Sequence, residues 1–284
     1  MSVPHSGIDF VLEISFASDD ALADDVLSRL FLSDSSGSSS DESGGVVTVT
    51  AYFDSSQTRA AAMAMLRGVD VRLTTDDRAP VDWLEKYQQS LDPLFIGRSF
   101  VVAPDGSLIP PGSDRHRIIV PQEQAFGTGS HETTWLCIEM LEGMAIRGRR
   151  GLDVGSGSGI LALAMLRLGA SKAIAFDNDA DAYGPLRDNR MRNGVGESAL
   201  PMFIGSVEAL RGGTFDVITM NIIPEVIIPM LPDVIGHMSV AGSLILSGIL
   251  TTRRDDVIGA ASTLHVVAES SKGEWWCGRF QRAR

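Results

Sequence analysis

Between residues 152 and 160 the chain reads LDVGSGSGI, an apolar run that stops at a carboxylate and is followed by three glycines at alternate positions; the apolar series ILALAMLRLG then begins. Few local patterns restrict a fold as tightly. The run predicts a strand ending at Asp153, the glycines predict a turn without Cβ atoms, and the series predicts a helix whose N-terminus faces any ligand at the turn. A Gly-rich turn by itself is more often only a tight connection. Here the strand KAIAFD follows and ends in Asp177, 24 residues beyond Asp153. That is where a doubly wound sheet sets a carboxylate against ribose hydroxyls. Upstream, AFGTGSHETTWLCIEML at 125–141 places a second Gly-rich loop before a helix. The two loops predict a nucleotide-like ligand held from both sides. The dinucleotide fingerprint G-x-G-x-x-G needs glycine where this chain has Ile160, so its phosphate-cradling form fails by one position. A carboxylate before the first glycine suits a cation better than a phosphate.

The rest of the chain divides into three parts. Residues 1–81 read strand (IDFVLEISFA), helix (DDALADDVLSRLF), strand (VVTVTAYF), helix (SQTRAAAMAMLRG) and strand (VDVRLTT), from alternation in the strands and 3.6-residue spacing in the helices. This predicts a small α+β domain. Inside it SDSSGSSSDESGG, residues 33–45, cannot bury apolar area and is expected to be mobile, with one short strand hidden there at most. Residues 82–124 carry Trp83, Tyr87, Pro93, Phe95 and the strand-like SFVVAP, which predicts a linker that packs. Residues 125–284 alternate strand and helix through LDV, KAIAFD, ALPMFIG, FDVITMN, SLILSGIL, LHVVAES and EWWCGRFQ. Seven strands with a final hairpin predict a doubly wound, mostly parallel sheet with an antiparallel edge, and a ligand at the carboxyl ends of its first strands.

Composition excludes several classes. With 284 residues and 44% hydrophobic content the chain can fill one large core and one small one. Cys137 and Cys277 stand apart from any C-x-x-C pair or His cluster, so neither a disulfide framework nor a metal site is expected. The N-terminal MSVPHSGIDF has no basic region followed by an apolar run, and the expectation is a cytoplasmic protein without membrane spans. Net charge is −12, and residues 1–81 hold 13 acidic against 5 basic side chains. Such a surface repels nucleic acid and attracts basic partners, although acidic faces also serve solubility alone.

The G-x-G-x-G spacing after an acidic residue is the pattern of S-adenosylmethionine-dependent methyltransferases. The segments DWLEKYQQSLDP, AFGTGSHETT, LDVGSGSGILALAMLRLGA, FDND, DNRMRNGV, GSVEAL, NIIPE, LSGIL and GEWW occur in this order between residues 82 and 276. In this the chain resembles the ribosomal protein L-eleven methyltransferases, the PrmA family; the generic methyltransferase fold shares only the second Gly-rich motif. The resemblance implies a Rossmann-like, seven-stranded class I methyltransferase domain at 125–284, preceded by a ferredoxin-like substrate-recognition domain at 1–81 and the packed linker at 82–124. It implies transfer of methyl groups from S-adenosylmethionine to lysine side chains and the α-amine of a basic ribosomal protein, by a monomer that does not contact nucleic acid directly.

By that resemblance Thr128, Gly155, Asp177 and Asn221 fall on cofactor-contacting positions. The residues themselves allow a similar account. The Thr128 hydroxyl, in a Gly-Thr-Gly loop ahead of a helix, can bind the methionine carboxylate of the cofactor. Gly155 and Gly157 admit its backbone, Asp153 can pair with its ammonium directly or through water, and Asp177 can accept both ribose hydroxyls. Ser206 and Val207 are placed to flank adenine. Asn221, after the strand FDVITM, is the one candidate catalytic residue: an Asn-led turn there presents oxygens to the incoming nitrogen. An ordinary turn role is the plainer account of Asn221 and Ser206. The turn is NIIPE, without the aromatic of the NPPY motif that stacks planar amides, so it suits a flexible alkylamine. No general base is evident, and His131 reads as a helix-start residue beside Glu132. Three features depart from the family pattern: VPQEQ before the first loop, Gly184-Pro185 in the helix after Asp177, and the Ser-rich insert. Two other functions fit the same residues: a lysine methyltransferase acting on another protein, such as the electron transfer flavoprotein beta subunit, or a non-catalytic S-adenosylmethionine-binding module associated with the ribosome.

Overall fold

The computed structural model describes residues 9–78, 92–121, 130–210 and 212–283. The chain separates into two compact units, Met1–Lys86 and Tyr87–Arg284. In the first, β1 (Asp9–Ala17), α1 (Asp20–Phe31), β2 (Gly37–Ser43), β3 (Val46–Phe53), α2 (Ser56–Met65) and β4 (Arg72–Arg78) follow one another. The strands form an antiparallel sheet in the order β2-β3-β1-β4. Leu12, Ile14 and Phe16 alternate along β1 and meet Val26 and Leu30 of α1 and Ala62 of α2, so the two helices share one core with the sheet. Asp19 caps α1 by accepting from the N–H groups of Ala21 and Leu22 at 2.9 and 3.0 Å, and Ser55 caps α2 by accepting from Thr58.

The Ser-rich segment holds the short strand for which its sequence left room. It forms β2, fully exposed in side chain yet paired with β3 from Gly37↔Tyr52 to Ser43↔Val46. Gly44 and Gly45, at φ 61° and 78°, supply the two left-handed residues of the tight hairpin turn between them. A strand needs a backbone ladder and not a buried face, and polar side chains are how an edge strand avoids further pairing. The fourth strand is also displaced: β4 begins at Arg72, three residues beyond the start read from the sequence.

In the second unit β5 (Leu94–Ile96), β6 (Phe100–Ala103) and β7 (His116–Ile119) make a small sheet, so the described part of the supposed linker is folded structure. Its Ile96, Phe100, Val102 and Ile118 enter the core of the larger sheet. There follow α3 (Glu132–Glu142), β8 (Arg150–Val154), α4 (Ile160–Arg167), β9 (Lys172–Asp177), α5 (Tyr183–Arg192), β10 (Met202–Ile204), β11 (Phe215–Asn221), α6 (Pro224–Gly236), β12 (Met238–Leu250), α7 (Arg254–Ala260), β13 (Leu264–Lys272) and β14 (Trp275–Arg282). The sheet order is β10-β9-β8-β11-β12-β14-β13. The first five are parallel, and β14 runs antiparallel to both β12 and β13. The antiparallel strand is therefore not the edge: β14 inserts inside β13. Gly184-Pro185 does not interrupt α5, because the helix starts at Tyr183 and the proline sits in the first turn, where its missing N–H has no partner to lose. One apolar cluster from α3, α4 and the small sheet covers one face, and a second from α6, α7 and β14 covers the other. Strand order reverses between β8 and β11, and a crevice opens at the carboxyl ends of strands at such a switch point.

Candidate active site

A cavity of about 880 Å³ occupies that switch point. Its floor is the turn between β8 and α4, where Gly155, Gly157 and Gly159 hold φ of 66°, 49° and 79°, angles that only glycine adopts without strain. At Gly155 a Cβ would lie 2.7 Å from Ile222 Cγ2. The residue after Asn221 is thus packed directly onto the glycine turn. From the opposite side Gly248 approaches so closely that its Cβ would stand 2.6 Å from the Ile222 carbonyl oxygen, and Ile222 N–H donates to the Ser247 carbonyl at 3.2 Å. Two bare glycine backbones therefore clamp the turn that carries Asn221.

Asn221 ends β11 opposite Ser247 of β12. Its Nδ2 donates to Thr134 Oγ1 at 3.4 Å, while its Oδ1 is buried and has no hydrogen-bond partner among the described residues. Ser156 Oγ, in the glycine turn, is in the same state. Buried polar atoms are rarely left unpaired, and each such atom calls for a reason. Both residues line the cavity, so a ligand with its own donors supplies one.

Asp177 also lines the cavity. Its Oδ2 accepts from Gly157 N–H at 2.8 Å and its Oδ1 from Asp179 N–H at 3.0 Å, which ties the end of β9 to the glycine turn. A carboxylate has about four lone-pair sites, so acceptor capacity remains. Asp153 lines the cavity too, from a more deeply buried position. It lies buried beneath the turn, Oδ1 accepting from Thr219 Oγ1 at 2.7 Å and Oδ2 from Ala162 N–H at 3.1 Å. Burial pushes its carboxyl up to about 7, the charge of Asp177 adds to the rise, and the two hydrogen bonds oppose it. The Ser206 hydroxyl lines the cavity and donates to the Glu208 carboxylate. Val207 does not join it there; its side chain is buried in the core with Phe176.

Thr128 lies outside the described residues. The helix that follows its loop is capped by His131, whose Nδ1 accepts from Thr133 N–H at 3.3 Å, in keeping with a helix-start role. The His131 ring also packs edge-on against Trp275, centroids 4.9 Å apart, and both line the cavity. Ile222, Ile223, Val226 and Met230 form an apolar wall beside Asn221. Sequence reasoning missed Ser156, Thr134, Trp275 and this wall as site residues. HETT, NIIPE and GEWW contain most of them, but nothing local says that these segments meet.

The order of strands about β8, the three-glycine turn, the Asp177 carboxylate at the end of the neighbouring strand and the cavity at the switch point define a class I methyltransferase that draws its methyl group from S-adenosylmethionine. The family model described as ribosomal protein L11 methyltransferase (PrmA) matches residues 21–283. Among relatives, the ribosomal protein L11 methyltransferase of Geobacter sulfurreducens is 38% identical over 244 residues, covering 81% of this chain and 80% of its own. That of Pseudomonas aeruginosa is 34% identical over 217 residues, covering 76% and 73%. The crystal structure of ribosomal protein L11 methylase from Lactobacillus delbrueckii subsp. bulgaricus superposes with a TM-score of 0.63 at 25% identity, over 68% of this chain and 100% of its own. The chain belongs to the ribosomal protein L11 methyltransferase family.

Proposed function

We propose that this protein transfers methyl groups from S-adenosylmethionine to lysine side chains and the α-amine of ribosomal protein L11. The observation that carries the reading is Asn221 Oδ1, a buried acceptor without a protein partner among the described residues, at the carboxyl end of β11. An amine N–H is the group it lacks.

The residues of the cavity fit the cofactor. Asp177 would hold the ribose hydroxyls, the Gly155–Gly157 turn would admit the amino-acid portion, Ser156 Oγ would gain a partner from it, and Ser206 would stand beside adenine. Asp153, buried with one protein donor on each oxygen, would pair with the ammonium directly or through water. Thr128 falls on a cofactor-contacting position by the family resemblance, and its Gly-Thr-Gly loop ahead of a helix suits the carboxylate. Bound there, the cofactor supplies a methyl group on a sulfonium. Asn221 orients the acceptor nitrogen by accepting one of its hydrogens. A free lysine amine, with a pKa of about 10.4, is mostly protonated at neutral pH. The wall of Ile222, Ile223, Val226 and Met230 removes water from it and so favours the neutral, nucleophilic form. Alignment then supplies most of the rate, as in other reactions between two positioned groups.

The first unit's order, β2-β3-β1-β4 with two helices on one side, supports a ferredoxin-like recognition domain, and its acidic surface supports a basic protein as the partner in preference to nucleic acid. No described helix is long and apolar enough to cross a membrane; with a ribosomal substrate this supports a cytoplasmic protein, which we take to act as a monomer. The test is incubation of labelled S-adenosylmethionine with purified ribosomal protein L11 and either the wild-type protein or Asn221→Ala. Label should enter L11 with the wild type. The substitution should lower turnover roughly a hundredfold while leaving calorimetric affinity for S-adenosylhomocysteine nearly unchanged. Absence of label with the wild type would overturn the reading, and near wild-type turnover by the variant would reduce Asn221 to a turn residue.

A further inference from the structure

The hairpin that carries Trp275 to the cavity is fixed by local geometry. Strand β13 ends at Lys272 and β14 begins at Trp275, and these two residues stand opposite one another in the antiparallel ladder. Gly273 and Glu274 make the connection, with Gly273 at a φ of 58°, the left-handed angle that a type II′ turn sets at its first central position. A turn this short leaves the pair no freedom to slide. Residues directly opposite in a ladder share one face of the sheet, so Lys272 and Trp275 leave the hairpin on the same side.

The start of α3 meets that side. The Trp275 ring stands edge-on to His131, the N-cap of α3, with centroids 4.9 Å apart. One helical turn further on, Lys272 Nζ lies over the Trp135 ring, 3.6 Å from its centroid. Residues four apart share one face of a helix, so the hairpin tip grips a single stripe of α3 at two points. Trp135 is half-buried and Lys272 is exposed; the indole is thus the fixed platform and the lysine the arm that reaches it. Among aromatic faces indole attracts a cation most strongly. Between the two grips, in sequence, comes Thr134, whose Oγ1 accepts from Asn221. The stripe that holds the hairpin therefore belongs to the same turn of helix that orients Asn221.

We propose that Lys272 is a positioning residue for methyl transfer: seated on Trp135, its ammonium holds the hairpin tip against α3 and so keeps the Trp275 ring in the wall of the cavity. Lys272 acts through Trp275 and not on the reacting groups, because it stands outside the described lining of the cavity. The inference rests on the transfer proposed above and adds to it a residue that shapes the pocket from without. With the ammonium gone, Trp275 is left with the His131 contact alone, that end of the pocket opens to water, and the acceptor amine loses a fixed and dry seat.

Two full-length variants test it. Lys272→Met keeps the length of the side chain without its charge, Lys272→Arg keeps the charge, and the exposed position should tolerate both. Each is assayed with labelled S-adenosylmethionine on ribosomal protein L11, with melting temperature and calorimetric affinity for S-adenosylhomocysteine measured in parallel. Lys272→Met should lower kcat roughly tenfold, with KM, cofactor affinity and melting temperature close to wild type, and Lys272→Arg should keep most of the wild-type rate. In a Trp135→Leu background the Met substitution should cost no more than about twofold further, since two side chains that act as one contact are not additive. A kcat for Lys272→Met within about twofold of wild type would overturn the inference, as would a loss that Lys272→Arg shares in full. A lower KM at unchanged kcat would also overturn it, that being the result for a cation that merely repels a basic substrate. A wild type that leaves L11 unlabelled would instead sink the reaction on which the inference rests.

Discussion

Asp177 combines two tasks in one carboxylate: it tethers the glycine turn through Gly157 N–H and lines the cavity where ribose hydroxyls would lie. Asp177→Ala removes both, and hydrogen bonds to a charged acceptor are each worth about 1.5–3 kcal/mol. Calorimetry with S-adenosylhomocysteine should show affinity weakened roughly tenfold or more; an unchanged Kd would remove Asp177 from the site. Asp153 leads to a prediction about pH. Its folded pKa, near 7, stands above an unfolded value of about 3.9. Between those values the native protein keeps a proton that the unfolded chain has released, so stability falls as pH rises through this window and levels off above it. Asp153→Asn can still accept from Ala162 and can donate to Thr219. It should flatten that slope and raise stability in urea at pH 8 by ~1 kcal/mol or more, one pKa unit being worth about 1.4 kcal/mol. A variant with the wild-type slope would refute this account of Asp153. The glycines and the two aspartates could be read in the sequence because a tight turn after a strand is a local demand. The depth of Asp153 could not, since burial is set by β11 and α4 closing over it.

At the scale of elements, β2 is the strand whose place composition leaves open. Serine and aspartate say what a segment cannot bury, and they are silent on whether its backbone finds a ladder; Gly44-Gly45 was the available signal for a hairpin. Deleting Ser35–Ser43, which a mobile insert would tolerate, should instead strip β3 of its outer partner. The first unit should lose about 1–3 kcal/mol, a few net backbone hydrogen bonds, seen as a lower transition temperature in calorimetry, with the second unit's transition unmoved. An unaltered first transition would mean the strand adds nothing. Most strands and helices of the second unit were legible from their periods. The insertion of β14 between β12 and β13 was not, because a hairpin's sequence is the same whichever of its strands faces the sheet.

At the scale of the molecule, every described residue lining the cavity falls between His131 and Trp275, within the second unit. A chain beginning at Tyr87 should therefore bind S-adenosylhomocysteine within about twofold of the whole protein, since a unit with its own core folds alone, yet lose efficient transfer to intact ribosomal protein L11. Equal transfer by the shortened chain would place recognition in the catalytic unit. The position of β14 bears on how the protein is made. In the sheet β13 is bonded to β14 alone, and β14 carries Trp275 to the cavity. While the chain is being synthesised, β8 through β12 can assemble in the order in which they emerge. Trp275 reaches the cavity only with β14, and β13, though made earlier, has no place in the sheet until β14 has paired with β12. A nascent chain thus passes most of its synthesis with an open pocket, and acquires the finished binding site only as one of its last acts of folding.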